Sequence, residues 1–285
     1  MSSLLMPIMN GITFGALLFL CASGFTLVFG LMRVVNMSYG MLYLLGSYVG
    51  LSIQRATGNW ILAIVGGAVA VALLTGVLEL FLLRRVQGDP LRETLLTLGV
   101  SYIIGDLLLA FYGGIPKLIT APTYVRRAVN LGLMKYPGTR LFMLGTAVVI
   151  GIGLWLLMSK TRIGQIIRAG VDDKEMVSAL GININRVFCF VFIIAGLLAG
   201  LSGVIGGSYL AFAQGTDFTI LTYSLVVVIM GGMGSLGGAL LGALYVGLAD
   251  SLTKTYAPEA TMIFLFGTLM LVLAFRPHGF LGKER

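Results

Sequence analysis

Residues 168–186 read RAGVDDKEMVSALGININR and lie between two of the most apolar runs of the chain. Five of the first eight residues of this polar segment are charged, whereas the runs 141–159 and 187–216 on either side contain no charged residue. An apolar run of about 20 residues is long enough to cross the hydrocarbon core of a membrane as a helix. The polar segment is therefore expected to be a connection outside the membrane between two membrane-spanning helices.

The composition of the whole chain indicates the same class of protein. Its 285 residues are 58% hydrophobic and 11% charged, whereas about a quarter of the residues of an ordinary soluble domain are charged. Further uncharged runs do not alternate between apolar and polar residues as the strands of a membrane barrel do, so they are expected to be helices. The longer ones are 1–32, 34–54, 56–78 and 218–249, and the shorter ones are 94–105, 107–116 and 260–275. The sequence thus predicts an all-α polytopic membrane protein with about 8–10 transmembrane or broken helices, forming a single domain over residues 1–285.

The distribution of basic residues predicts which loops face the cytoplasm, where lysine and arginine collect. The cluster of Arg84, Arg85 and Arg92, the polar stretch 159–186 and the basic tail 276–285 all fall on one side when the spans are counted along the chain. The loop 117–140 carries five basic residues on the opposite side and is an exception. The net charge of +8 is accordingly interpreted as a mark of cytoplasmic loops, and a nucleic-acid partner is not expected.

The run 218–250 is too long for one ordinary span and is interrupted by GGMGSLGG at residues 231–238. Each glycine weakens a helix interior by about 1 kcal/mol, so the cluster favours a break between two half-helices, about 218–230 and 239–250. Broken helices occur at membrane depth where their free backbone groups face protein or a water-filled cavity, as in the gates of transporters. Close packing of helices through small residues is the alternative interpretation. The candidate gate residues are Gly231, Gly232, Gly234, Gly237 and Gly238.

The polar segment is predicted to contain a short helix at about 173–180. Asp172 is the candidate N-cap, with Glu175 three positions later completing a capping box and Asp173 adding favourable charge to the first turn. Gly181 is the expected C-terminal stop. Met176, Val177, Ala179 and Leu180 give this helix an apolar face too small to fold alone, which either packs on the chain's own helix ends or docks into a groove of a second, cytoplasmic protein.

Asp106 stands in the middle of an apolar span, where a charge costs at least about 2.5 kcal/mol, and it is expected to face the interior of the bundle. It would serve there as a gate, a proton site or the partner of a hydroxyl, or it would pair with a basic residue near the membrane surface. Thr97 and Ser101 lie four residues apart on the same predicted helix and hence on one face. They are candidates for lining a transport pathway, although hydroxyls in membrane helices also bond to their own backbone.

Other chemistry is not indicated by the sequence. The phosphate-binding pattern G-x-x-x-x-G-K-[ST] does not occur, so this chain is not expected to bind ATP or to act as an enzyme. His278 is the only histidine, which leaves neither a metal cluster nor a Ser-His-Asp set. We therefore predict no catalytic residues, no metal and no cofactor in this chain.

The polar segment resembles the coupling loop of the permease subunits of ATP-binding-cassette (ABC) importers of the branched-chain amino-acid type. The loop residues that carry the resemblance are Glu175, Ala179, Gly181, Ile182 and Asn183. Four further stretches match in order, namely 24–48 (GFTLVFGLMRVVNMSYGMLYLLGSY), 97–104 (TLGVSYII), 231–244 (GGMGSLGGALLGAL) and 276–282 (RPHGFLG). Relatives commonly carry histidine, and often glutamate, at the positions of Tyr39 and Met41, which leaves the substrate open.

The resemblance implies a type II importer-like bundle in the bacterial inner membrane, with residues 159–186 as the cytoplasmic coupling loop. It implies a homologous second permease, more often different than identical, two cytoplasmic ATP-binding subunits that hold ATP and Mg²⁺, a periplasmic substrate-binding protein, and surrounding membrane lipid. RVVNMSYG at residues 33–40 is expected to break the helix near the membrane boundary, which makes Asn36, Met37, Ser38 and Tyr39 the first candidates for the pathway. Hydrophobic amino acids are the expected substrates, with urea, amides and carboxylic acids as alternatives. A self-contained secondary transporter or channel and a polytopic membrane enzyme remain the competing classes.

Overall fold

The computed structural model describes residues 2–32, 35–130 and 135–282, and helices make up most of it. The first half contains α1 (Ser2–Met32), α2 (Tyr39–Thr57), α3 (Trp60–Phe81), α4 (Pro90–Tyr112) and the single turn α5 (Thr123–Arg126). An antiparallel hairpin of β1 (Ala128–Asn130) and β2 (Lys135–Pro137) leads into the second half. That half contains α6 (Gly138–Lys160), α7 (Arg162–Asp172), α8 (Lys174–Ala179), α9 (Ile184–Gly207), α10 (Thr216–Gly231), α11 (Leu236–Tyr256) and α12 (Thr261–Phe275). The predicted all-α class is confirmed.

Most of the long helices have the length and composition of membrane spans. Within the described ranges, seven helices are long and apolar enough to cross a membrane, namely α1, α3, α4, α6, α9, α11 and α12 with its preceding turn. Helix α10 is apolar but only 16 residues long, and α2 has 19 residues but a less apolar composition. The chain is a multi-pass membrane protein, and these nine helices agree with the predicted number.

Helices α1 and α9 form the centre of the bundle, with most of their side chains buried, whereas α4, α6 and α12 lie at its periphery. Glycines permit the closest approaches between helices. A Cβ atom on Gly15 of α1 would lie 2.8 Å from the Ala243 oxygen of α11, and one on Gly46 of α2 would lie 2.6 Å from the Gly200 Cα of α9. Small residues at such crossings are the usual means by which membrane helices pack.

The basic loop 117–140, which did not fit the charge rule, is held to the bundle by its own contacts. The Lys117 ammonium donates to the Tyr112 carbonyl at 2.6 Å and lies over the Tyr112 ring. The Arg140 guanidinium donates to the Asn10 side chain and lies over the Tyr136 and Tyr209 rings. Burial raises the pKa of the Tyr209 phenol, and the charge of Arg140 opposes that rise. At least two of the five basic residues therefore have structural roles on this side.

Candidate functional site

The connection between α1 and α2 forms a buried polar turn at the centre of the bundle. Helix α1 ends at Met32 and α2 begins at Tyr39, so the predicted break in RVVNMSYG is confirmed, although Arg33 and Val34 lie outside the described residues. Asn36 is 4% exposed, and its Oδ1 accepts hydrogen bonds from the Ser38 N–H at 3.0 Å and the Ser38 hydroxyl at 2.6 Å. The chain turns here because Asn36 Oδ1 accepts the Ser38 N–H, which in a continuous helix would donate to a backbone carbonyl.

The start of α2 lies deep in the bundle. The Tyr39 hydroxyl donates to the Ala195 carbonyl at 3.3 Å, and Ala195 is the twelfth of the 24 residues of α9. At about 1.5 Å of rise per residue, the first turn of α2 lies beside the middle of α9. The polar turn at 35–38 therefore lies at membrane depth, and its expected position near the membrane boundary is wrong. Non-helical backbone is tolerated there because it is enclosed by protein.

Helix α4 supplies the partner of this turn. The Met37 N–H donates to the Thr97 hydroxyl at 3.1 Å, and Thr97 is itself buried. Asn36, Ser38, Thr97 and Thr75 of α3 share a small cavity of about 10 Å³ with apolar neighbours. That volume is about the least that holds one water molecule. Within this single chain Asn36, Ser38 and Thr97 form a closed polar cluster with Thr75, and the cavity is too small for an amino acid.

Two other candidates on α4 lie elsewhere. Ser101 is half-buried, and Asp106 is exposed on the outer surface of the bundle, so the expectation that Asp106 faces the interior is wrong. The reason is that α4 is a peripheral helix, most of which lacks cover from this chain. Gln214, just before α10, is also exposed, and its Nε2 lies 4.0 Å from the position of a Cβ on the buried Gly105. Asp106 thus places an exposed carboxylate on an otherwise apolar face, together with Tyr102 at 69% exposure.

The glycine-rich break is a tight hairpin between α10 and α11. Helix α10 ends at Gly231, α11 begins at Leu236, and Gly232 and Gly234 have positive φ angles of 101° and 83°. A Cβ atom on Gly238 would lie 1.9 Å from the Gly231 carbonyl oxygen, so these two positions admit only glycine without a backbone shift. The predicted break is confirmed. The expected short second half is wrong, because Gly237 and Gly238 already belong to the first turn of the 21-residue α11, where Ser235 Oγ accepts the Gly238 N–H.

The C-terminal segment closes this hairpin. The Phe280 N–H donates to the Met230 carbonyl at 2.8 Å and the Leu281 N–H donates to the Gly231 carbonyl at 3.0 Å. These two bonds satisfy carbonyls at the end of α10 that have no partner within that helix. Gly279, with φ of 76°, packs so closely that a Cβ atom would lie 2.6 Å from the Gly232 nitrogen. The motifs GGMGSLGG and RPHGFLG, which are distant in sequence, form one structural unit.

The short helix predicted in the polar segment is present as α8 (Lys174–Ala179). The cap is Asp173, whose Oδ1 accepts the Met176 N–H at 3.0 Å, so the assignment of the cap to Asp172 is wrong. Asp172 is the last residue of α7, and the side chains of Asp172 and Glu175 lie outside the described residues. The predicted stop is confirmed, since Gly181 has φ of 79°.

The backbone at the end of α8 forms a Schellman motif. The Gly181 N–H donates to the Ser178 carbonyl at 3.0 Å and the Ile182 N–H donates to the Val177 carbonyl at 3.4 Å. These are the two bonds of that motif, which requires a left-handed residue and favours glycine. Asn183 then caps α9 by accepting from the N–H groups of Asn185 and Arg186. The direction of the chain between α8 and α9 is therefore set by the Schellman motif and by the Asn183 cap.

The apolar face of α8 is largely uncovered. Val177 is 3% exposed and anchors the helix to the protein, whereas Met176 is 65% and Leu180 is 74% exposed, and Ala179 is also exposed. The interpretation that this face packs wholly on the chain's own helix ends is thus wrong for Met176, Ala179 and Leu180. What remains is a small apolar surface on a helix outside the bundle.

Two features of the site were missed from the sequence. The first is helix α7, which occupies the first part of the polar segment. The Thr161 hydroxyl accepts the Gly164 N–H, and Ile167 is buried. The spacing of Ile163, Ile166 and Ile167 after a threonine is the sequence pattern that predicts this helix.

The second is Asp250 of α11, which is 4% exposed. It accepts a hydrogen bond from the Tyr223 hydroxyl and forms an ion pair with Lys254 at 2.8 Å. The four-residue spacing of Asp250 and Lys254 on one helix was the signal for that pair.

The comparisons with known proteins agree with this architecture. A family model described as the branched-chain amino acid transport system / permease component matches residues 7–273. The chain is 28% identical to the high-affinity branched-chain amino acid transport system permease protein LivH of Escherichia coli, over 98% of this chain and 96% of that protein. It is 26% identical to the permease protein LivM of the same system and organism, over 92% of this chain and 67% of that protein.

A solved structure has the same fold. This is the structure titled PsaBC from Streptococcus pneumoniae in complex with Fab, which superposes with a TM-score of 0.53 over 96% of this chain and 91% of that chain. The sequence identity of the pair is 12%, so the likeness concerns the arrangement of the helices alone.

Proposed function

The chain belongs to the family of branched-chain amino acid transport system permease components, and on this premise we propose that it is the membrane-spanning subunit of an ATP-driven importer in the bacterial inner membrane. Its cargo in this proposal is a small amino acid, with branched-chain and other hydrophobic amino acids first. The names of LivH and LivM support that choice. ATP hydrolysis is assigned to separate subunits, and this chain has the role of a transport component.

The exposed apolar face of α8 is the observation that carries the proposal. Met176 and Leu180 point away from the protein on a helix held by Val177 and stopped by Gly181. A helix of this length is not stable alone, so its position on the surface of the protein is set by its contacts with α7 and α9. Helix-in-groove docking buries such a face in a partner. Since α7 and α9 join α8 directly to two spans, movement of a docked ATPase subunit would reach the bundle.

A second permease is assigned to the α4 face. The Asp106 carboxylate is exposed on α4 six residues before the span ends, and contact of a charge with lipid costs at least about 2.5 kcal/mol at the centre of a span. Contact with a second permease, or with water between two permeases, removes that cost. Because the exposed Tyr102 lies four residues before Asp106 and hence on the same face of α4, we place the substrate route between the two subunits along α4. The similarity to both LivH and LivM supports a pair of related, different permeases.

Charge substitution on α8 tests the proposal. We expect Met176→Glu with Leu180→Glu to abolish co-purification of the ATP-binding subunit and to reduce substrate-stimulated ATP hydrolysis and uptake together. The matched control is Ser178→Glu, which adds a carboxylate to an exposed position of the same helix outside the apolar face. Both proteins should insert into the membrane equally. Unchanged uptake by the double variant, without any ATP-binding subunit, would instead favour a self-contained carrier.

A further inference from the structure

A cleft opens between the ends of α3 and α9, beside the point where α8 leads into the bundle. Its volume is about 420 Å³. The apolar part of its wall is formed by Leu80, Phe190 and Ile193, and the polar part includes Arg84 and Arg186. Leu80 is 48% and Ile193 is 38% exposed, so the apolar wall is open to the surroundings of the bundle and does not form a closed core.

The two arginines are available for a ligand. Both side chains are exposed, and in the described part of the chain neither forms an ion pair within 4.0 Å. The charge of Arg84 also acts on the buried Glu79, but the direct hydrogen bond to that carboxylate comes from Gln87 at 2.6 Å. Guanidinium groups bind phosphate oxygens through paired N–H donors of fixed geometry. Two such groups on one cleft therefore favour a phosphate-bearing ligand.

The position of the arginines along the spans indicates where that ligand comes from. Arg84 lies at the end of the span Trp60–Arg85, and Arg186 is the third residue of the span Ile184–Gly207. Both charges thus lie where membrane helices leave the hydrocarbon and meet the headgroup layer. The apolar wall of Leu80, Phe190 and Ile193 extends from them along the helices, at the depth of the acyl chains. A soluble phosphate compound would use the arginines and leave this wall uncovered.

We propose that the cleft between α3 and α9 binds an anionic phospholipid, with its phosphate held by Arg84 and Arg186 and an acyl chain along Leu80 and Ile193. Basic clefts between membrane helices on the cytoplasmic side have the chemistry that anionic headgroups require. Asn183, which caps α9, also lines the cleft. The bound lipid would therefore brace the junction that carries α8.

The test compares charge-matched variants of the intact transporter. The double variant Arg84→Gln, Arg186→Gln removes the two cleft charges, and the control Arg85→Gln, Arg162→Gln removes two exposed charges that do not line the cleft. Each protein is purified in neutral detergent and titrated with short-chain phosphatidylglycerol, and bound lipid is counted by native mass spectrometry. We expect the cleft variant to lose affinity about tenfold or more, as two charge-assisted contacts are removed, while the control stays near the parent.

Further arms distinguish the sources of the phosphate. Phosphatidylcholine should bind less well than phosphatidylglycerol, and millimolar inorganic phosphate should not displace the bound lipid. The variant Arg84→Lys, Arg186→Lys keeps the charge and should keep part of the affinity, which also serves as the test if the glutamine variant does not fold. If the control Arg85→Gln, Arg162→Gln loses as much affinity for phosphatidylglycerol, the lipid is attracted by overall charge and the cleft is not a specific site. Displacement of the bound lipid by millimolar inorganic phosphate would assign the cleft to a soluble ligand and overturn the lipid proposal.

Discussion

At the scale of single residues, the structure depends on side chains that replace missing backbone partners at helix ends. Asn36 accepts both hydrogen-bond donors of Ser38 in the buried turn before α2, and Asp173 and Asn183 cap α8 and α9. Gly181 supplies the left-handed conformation between the last two. Each of these residues acts through geometry, so conservative substitutions should have graded effects.

The first prediction concerns Asn36. Asn36→Ala leaves the Ser38 N–H and hydroxyl without their acceptor in a buried turn, at a cost of about 1–3 kcal/mol for each unsatisfied buried group. We expect a lower midpoint of thermal unfolding of the purified transporter and reduced uptake. Ser38→Ala is the control, because Asn36 then still accepts the remaining backbone N–H. An equal loss in the two variants would show that the asparagine does not organise this turn.

The second prediction concerns Gly181. The left-handed conformation costs about 1–2 kcal/mol for residues with a Cβ atom, and asparagine tolerates it better than most. Within the described structure no atom lies within 4 Å of the Cβ position at Gly181, so backbone conformation alone sets the cost. Uptake and coupled ATP hydrolysis should therefore decrease in the order Gly181, Gly181→Asn, Gly181→Val. Gly145→Ala, at an open helical position on α6, should be neutral. Equal activity of Gly181→Val and the parent would show that the Schellman motif at the end of α8 is not needed for coupling ATP hydrolysis to uptake.

At the scale of elements, the hairpin of α10 and α11 is completed by a distant segment. Glycines 231 and 238 let the two helix ends touch, and residues 278–282 cover them with two backbone hydrogen bonds. The packing accounts for the glycines at these two positions, and their proposed role in a gate stays a prediction. Gly232→Leu would abolish transport for steric reasons alone and would not test a gate. The φ of Gly232 is 101°, and a Cβ atom there would lie 2.4 Å from the Gly282 nitrogen. The C-terminal segment offers a cleaner test.

The third prediction follows from that segment. Removal of residues 278–285 deletes the bonds from Phe280 and Leu281 and leaves the end of α10 uncapped, and we expect lower thermal stability with loss of uptake. Removal of residues 283–285 keeps every described contact of the segment and serves as the control. If the longer truncation transports normally, the segment does not stabilise the hairpin in the functional state.

At the scale of the whole molecule, the polar groups divide between a closed cluster and an exposed face. Asn36, Ser38 and Thr97 surround a cavity of about 10 Å³, which cannot pass a solute through one chain. Asp106 and Gln214 lie on the outer surface of the bundle. In the proposed function, the second permease covers the surface of α4 that carries Asp106.

The fourth prediction tests that surface. In a background with Cys21 and Cys189 replaced by alanine, Asp106→Cys should react with a small water-soluble thiol reagent in the assembled transporter and crosslink to the second permease. The control is Val149→Cys on α6, which is 68% exposed on an apolar helix and should be protected by lipid. If Asp106→Cys is protected from the reagent in every transport state and forms no crosslink, the subunit interface does not lie along α4.

Much of this architecture is determined by local sequence. The spans follow from runs of apolar residues, because any backbone in hydrocarbon must bond within its own helix. The breaks at Asn36 and Gly232 and the stop at Gly181 follow from residues whose preferred conformations are not helical. Asp173 in place of Asp172 as the cap of α8 is an error of one residue, because adjacent aspartates offer the same side chain.

Only the tertiary structure decided which side of each helix is covered. The sequence gives Asp106 and Asp250 the same chemistry, yet α4 lies at the periphery and leaves Asp106 exposed, whereas α11 packs on α1 and α10 and buries Asp250 against Tyr223. In a membrane both the lipid and the core are apolar, so apolar periodicity does not distinguish the lipid-facing from the buried face of a span. Contacts far apart in sequence, such as Phe280 with Met230 and Tyr39 with Ala195, make that distinction, and they depend on packing that no local pattern specifies.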